Sequence, residues 1–171
     1  MLDAINQRLF ELYTQVGGDL RLYALIDGVQ TEQLTGSFPE RGKHSRALFD
    51  ATLGGAVGDA GPWLLEIDES STGDVNKLDK LSASGEGMIW LISKLTFDEL
   101  SAELTARLDV TLADGTIALL RYYRAKILAD LAQTLQPLQR TEFFAPALQW
   151  FIFRESGLEL IHGASPTAAA P

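Results

Sequence analysis

Several stretches of the chain hold side chains that could do chemistry, and each can be set against the spacing its chemistry needs. Residues 36–45, GSFPERGKHS, contain the glycine, lysine and hydroxyl of a phosphate-binding loop. That loop requires a glycine five positions before Gly-Lys and a Ser or Thr directly after, so that amides, ammonium and hydroxyl converge on phosphate and metal. Here Gly36 lies six positions before Gly42, His44 follows Lys43, and Ser45 comes one place late. The stretch reads as a solvated loop. Residues 53–61, LGGAVGDAG, miss the dinucleotide-binding spacing, and Pro62 blocks a long helix where a pyrophosphate would need one. They read as a turn entering a strand at Trp63. His44 and His162 stand far apart without carboxylates at metal-ligand spacing, and no G-x-S-x-G elbow exists. The acidic pairs Glu66/Asp68 and Asp98/Glu99 suit a strand edge and a first helical turn, where carboxylates favour the helix dipole. No catalytic, metal-binding or cofactor-binding residue is predicted. The balance moves from catalysis to binding.

The most informative segment is LDVTLADGTIALLRYYRAK, residues 108–126. Asp114-Gly115 between two alternating runs predicts a hairpin with a type I′ turn, since both residues tolerate positive φ. That register sets Val110 against Leu119, Leu112 against Ile117, and Leu108 against Arg121. A guanidinium at the end of an apolar face has two readings. It is a structural ion pair within the chain, whose breaking costs ~3–5 kcal/mol, or it makes a bidentate contact to a partner's carboxylate or carbonyl. Phe143, Phe144, Trp150, Phe151 and Phe153 form a second concentration. They are either core or an aromatic patch that receives a partner's segment. The candidate partner-binding residues are Trp63, Arg121, Tyr123, Phe143, Phe144 and Trp150.

The elements that must position these residues follow from periodicity. Ile5, Leu9, Leu12 and Val16 recur at helical spacing over residues 3–16, and Gly17-Gly18 ends that helix. Residues 20–27, LRLYALID, read as a buried strand ending in Asp-Gly. One short helix is expected over residues 47–57. Residues 63–68 predict a strand with Trp63, Leu65 and Ile67 on one face and Leu64, Glu66 and Asp68 on the other. A short amphipathic helix carries Val75, Leu78 and Leu81. The unbroken apolar run in GMIWLISKL predicts a strand covered on both faces. Thr96-Phe97-Asp98-Glu99 matches a capping box, opening a helix whose buried stripe is Phe97, Leu100, Leu104 and Leu108. Residues 125–135 form another helix, ended by Pro137, and LQWFIFR with LELIH makes a last strand pair. The prediction is an α/β (mixed α+β) single domain over residues 1–162. A mixed sheet is flanked by helices and includes the Asp-Gly hairpin, and residues 163–171 form a disordered tail.

Composition limits what such a domain can meet. The chain has 171 residues, 46% hydrophobic and 22% charged, the makeup of a globular protein. A net charge of −9, from 23 acidic and 14 basic residues, opposes binding to nucleic acid or anionic lipid. It suits solubility or a basic protein partner. There are no cysteines, which removes disulfides, zinc-thiolate sites and cysteine nucleophiles. The start has no basic region followed by an apolar core, and no apolar run approaches ~18 residues, so the expected location is cytoplasmic.

Six pieces in this order resemble the type VI secretion effector-adaptor family, the Tap/TEC chaperones. They are YALIDG (23–28), LF (48–49), GPWLLEID (61–68), GMIWLISKLTFDEL (87–100), DGTIALLRYYRAKIL (114–128) and FFAPALQW (143–150), and they cover about residues 20–152. The family pattern after the hairpin is Arg, two aromatics, Asp, Pro. Arg121, Tyr122 and Tyr123 match it, while Arg124 and Ala125 replace the acid and the proline. The resemblance implies a non-enzymatic adaptor, without cofactor, that binds a toxin effector and helps load it onto the VgrG spike. An adaptor is expected to hold the effector's non-toxic N-terminal region. Two other readings stand beside it: an immunity protein neutralising a toxin's catalytic domain, and a small-molecule-binding α/β domain.

Overall fold

A computed structural model describes residues 2–51, 55–67, 75–85 and 87–163. In chain order they form α1 (Leu2–Val16), β1 (Arg21–Asp27), α2 (Gly28–Thr35), β2 (Ser45–Ala47), a 3₁₀ turn (Leu48–Ala51) and α3 (Gly55–Asp59). β3 (Pro62–Ile67), α4 (Val75–Ala83), β4 (Met88–Ser93), α5 (Phe97–Ala106), β5 (Asp109–Thr111) and β6 (Ile117–Leu119) follow. The chain continues with α6 (Ala125–Thr134), α7 (Pro137–Phe144), β7 (Gln149–Arg154) and β8 (Gly157–Gly163). Six strands make one sheet in the order β2-β3-β1-β4-β7-β8, and each pairing in it is antiparallel. The mixed α+β class with helices on the sheet is as expected, but the sheet is antiparallel rather than mixed and does not include the Asp-Gly hairpin.

Alternation along the strands sends side chains to two cores. On one face Tyr23, Leu25, Leu64, Ile89, Leu91, Trp150 and Ile152 pack with Leu100 and Leu104 of α5 and Leu128 of α6. On the other, Leu22, Ile26, Trp63, Met88, Trp90 and Phe151 pack with Ile5 and Leu12 of α1 and Leu78 and Leu81 of α4. Every residue of β4 is buried, as its unbroken apolar run demands. In β3, Trp63, Leu65 and Ile67 share the second core while Leu64 enters the first, the predicted division. The capping box is present: the Glu99 carboxylate accepts from the Thr96 N–H at 2.9 Å, and the Thr96 hydroxyl accepts from the Glu99 N–H.

One expected element is corrected. The single helix over residues 47–57 is instead a strand end, a 3₁₀ turn and the one-turn α3. The Gly, Asp and aromatic content there suits short pieces packed on Phe49 better than one continuous helix. The strand expected to end in Asp-Gly does so, and a helix follows it directly. Asp27 caps α2, accepting from the N–H groups of Val29 at 3.0 Å and Gln30 at 3.3 Å. Asp68 lies outside the described residues, and so does the expected tail over 163–171 except for Gly163, which is instead the last residue of β8.

Candidate protein-binding site

The segment after α5 leaves the sheet. β5 and β6 pair only with each other among the described strands and form a separate ribbon. Its register differs from the expected one by a residue: Asp109 faces Leu119, Val110 faces Ala118, and Thr111 faces Ile117. The cause is the turn. Asp114 does not take positive φ; Gly115 alone does, at 83°, and the Gly115 N–H donates to Leu112 O at 2.9 Å. This is a three-residue loop in which a turn is followed by one left-handed glycine, and the extra residue shifts the pairing by one. The Asp114 carboxylate fixes the turn, accepting from the Thr116 N–H at 2.9 Å and hydroxyl at 2.6 Å, and these bonds lower its pKa.

The new register decides which side chains meet water. Leu108 and Leu120 lie on the inner face of the ribbon and anchor it to the first core. Asp109, Thr111, Ile117 and Leu119 share the outer face. Ile117 is 74% exposed and Leu119 41% exposed. The expected apolar face is therefore solvent-facing.

A turn then follows, closed by the Arg124 N–H donating to Arg121 O at 3.1 Å. Its two middle residues point inward. Tyr122 is fully buried, and its hydroxyl donates to Leu104 O at 2.7 Å; burial pushes its pKa far above the usual phenol value. Tyr123 packs edge-on against Phe49 at 6.4 Å, with its pKa raised by burial and by the Asp27 charge. The two flanking arginines part company. Arg124 Nε donates to Asp27 Oδ2 at 3.2 Å, so the cation standing where the family pattern has an acid is held by the carboxylate that caps α2. The Arg121 side chain is exposed and makes no hydrogen bond or ion pair with a described residue, whereas the side chain of each of the other eight arginines makes at least one. Among the described residues nothing supports the structural ion-pair reading of Arg121.

The remaining candidates lie deeper. Trp63 is fully buried; its indole N–H donates to Asp59 O at 2.9 Å, and the Arg41 guanidinium sits 5.0 Å above its ring. Phe144 and Trp150 are fully buried and meet edge-on at 5.3 Å, while Phe143, partly exposed, packs on Tyr122 at 5.3 Å. His162 stacks on Phe144 at 4.4 Å, and burial, with the Arg140 charge nearby, lowers the pKa of its imidazole. Trp63, Tyr123, Phe144 and Trp150 therefore offer a partner no open surface in this conformation, and the aromatic concentration is mainly core. Arg121 and the edge of Phe143 remain accessible.

Asp27, 2% exposed, is the functional-looking group that spacing alone did not reveal. Its neighbour Gly28 explains the Asp-Gly step. A Cβ there would fall inside contact distance of Asp59 O and 2.7 Å from Gly61 O, while the Gly28 N–H donates to Gly61 O at 2.9 Å. Asp-Gly at the end of β1 and Gly-Pro-Trp at the start of β3 are one packed junction.

The described members of the acidic pairs are also accounted for. Glu66 bridges Arg21 at 3.2 Å and His44 at 2.7 Å, and Asp98 pairs with Arg46 at 2.7 Å. Among the described residues no group of three metal-ligating side chains converges. No described helix is long and apolar enough to cross a membrane.

Residues 22–142 match a family described as a domain of unknown function, DUF4123. The chain belongs to the DUF4123 family. The matched span runs from β1 into α7, so it contains the Asp27–Arg124 pair, the ribbon and Arg121, while α1 and the β7–β8 pair lie outside it. No curated protein and no solved structure matches this DUF4123 chain.

Proposed function

We propose that this chain is a non-enzymatic adaptor and chaperone of type VI secretion, working in the cytoplasm. It binds an effector through that protein's non-toxic N-terminal region and helps load it onto the VgrG spike. The observation that carries a protein-binding role is the outer face of the ribbon. Two large aliphatic side chains stand in water on a two-stranded ribbon apart from the main sheet, next to the one arginine without a described partner. Isolated pairs of strands are marginal in water, and exposed aliphatic side chains of this kind are worth covering. The type VI assignment rests on the six ordered motifs that resemble the adaptor family. The net charge of −9 adds long-range attraction for a basic partner, which raises association rate more than affinity.

Co-expression with the effector encoded beside this chain tests the proposal. A complex that survives size exclusion, forms with the effector's N-terminal region alone and persists without the toxic domain is the expected result. Binding that follows the toxic domain instead overturns the adaptor reading in favour of immunity.

A further inference from the structure

The ribbon's register shows which of its backbone groups are free. Leu112 N–H donates to Thr116 O at 2.8 Å, and Leu120 N–H donates to Leu108 O at 2.6 Å, marking two hydrogen-bonded pairs of the ladder. Bonded and non-bonded pairs alternate in antiparallel strands. Val110–Ala118 is therefore bonded, and Asp109–Leu119 and Thr111–Ile117 are not. The N–H and C=O groups of Ile117 and Leu119 point away from β5, along the outer edge of β6. β6 pairs only with β5 among the described strands, so this edge is open.

The same two residues carry the exposed aliphatic side chains, and Arg121 stands two positions beyond Leu119 with its guanidinium unpaired among the described residues. The β5 edge differs: its outward-facing residues are Asp109 and Thr111, a carboxylate and a hydroxyl. The geometry points to β6 as the docking edge for an extended segment of a protein partner, which adds as a third strand, lays aliphatic side chains against Ile117 and Leu119, and brings a carboxylate to Arg121. Main-chain bonds hold such a strand, and alternate side chains with one charge pair select it. The charge selects the edge as well, because an acidic segment placed along β5 would meet Asp109. This inference rests on the adaptor reading and names the chemistry of what that adaptor would hold.

Amide exchange by NMR and a short set of variants test it. In the free protein the Ile117 and Leu119 amides should exchange faster than the Ala118 amide, which is bonded to β5. Adding the effector's N-terminal region should protect Ile117 and Leu119. Arg121→Glu should weaken that binding by about 10- to 100-fold, the equivalent of one charge-assisted hydrogen bond, without changing the melting temperature. Leu119→Pro removes only an outward N–H from the ladder, a position where proline is tolerated. It should weaken binding further than Leu119→Ala, which keeps that N–H. A synthetic peptide of alternating valine and threonine ending in aspartate, titrated to millimolar concentration, should protect the same two amides, and its lysine-ended counterpart should not. If the effector region binds while these amides and variants are silent, strand addition is wrong and the adaptor reading survives. If the aspartate peptide protects the amides but no effector region binds, the edge is real and the adaptor reading falls. A peptide that leaves both amides unprotected overturns the docking edge.

Discussion

Replacing Asp27 tests whether the buried carboxylate holds the β1–α2 junction. Asp27→Ala removes the acceptor for two N–H groups at the start of α2, and losing a helix cap of this kind costs about 1 kcal/mol. It also removes the partner of Arg124. That arginine's side chain is 41% exposed and turns to water, so the lost ion pair adds at most about 1 kcal/mol. The sum, about 2 kcal/mol, corresponds to a fall of about 4–8 °C in melting temperature for a chain of this size. Asp27→Asn keeps an oxygen for the cap and gives up the charge, so it should cost less than about 1 kcal/mol. Arg124→Gln leaves the carboxylate buried with two amide donors, and a double-mutant cycle with Asp27→Asn should return a coupling of about 0.5–1 kcal/mol. Urea denaturation followed by circular dichroism measures all three. If Asp27→Asn is as harmful as Asp27→Ala, the cap is not what the side chain provides. If Asp27→Ala stays within about 0.5 kcal/mol of wild type, the junction does not depend on this residue.

Gly28→Ala should be among the most damaging small substitutions in the chain. The new methyl meets two backbone carbonyls that cannot give way, and overpacking of this type costs about 3 kcal/mol, read as a lowered urea midpoint with unchanged slope. Tyr122→Phe removes the donor to Leu104 O, which keeps the Arg107 N–H at 3.2 Å, so the loss should be about 1 kcal/mol by the same titration. His162 adds a pH dependence. Its folded pKa lies below the ordinary 6.5, so the unfolded chain binds more protons, and its contribution is complete above 6.5 and lost as pH falls through the folded value. Melting temperature should decline over that window, and His162→Phe, which keeps the stack on Phe144, should flatten the decline.

Much of the fold was legible along the chain because its causes are local. The Thr96–Glu99 capping box, the stripe through Phe97, Leu100 and Leu104, the two-sided burial of β4 and the alternation of Trp63, Leu64 and Leu65 each need only neighbours within a few residues. Composition predicted a globular protein, and the order of strand and helix patterns predicted its α+β class. Tertiary structure decided the rest. Asp-Gly at 114–115 announced a hairpin, but whether Asp114 joins Gly115 in positive φ depends on the Thr116 bonds, and that one residue sets the register. Alternation in β6 could not tell core from water, because exposure depends on whether another strand or helix arrives there. The pairing of Asp27 with Arg124, 97 residues apart, has no local signal at all. Among the described residues it left Arg121 as the unpaired cation of the Arg-Tyr-Tyr-Arg segment, since two arginines alike in sequence are separated only by which one reaches a buried carboxylate.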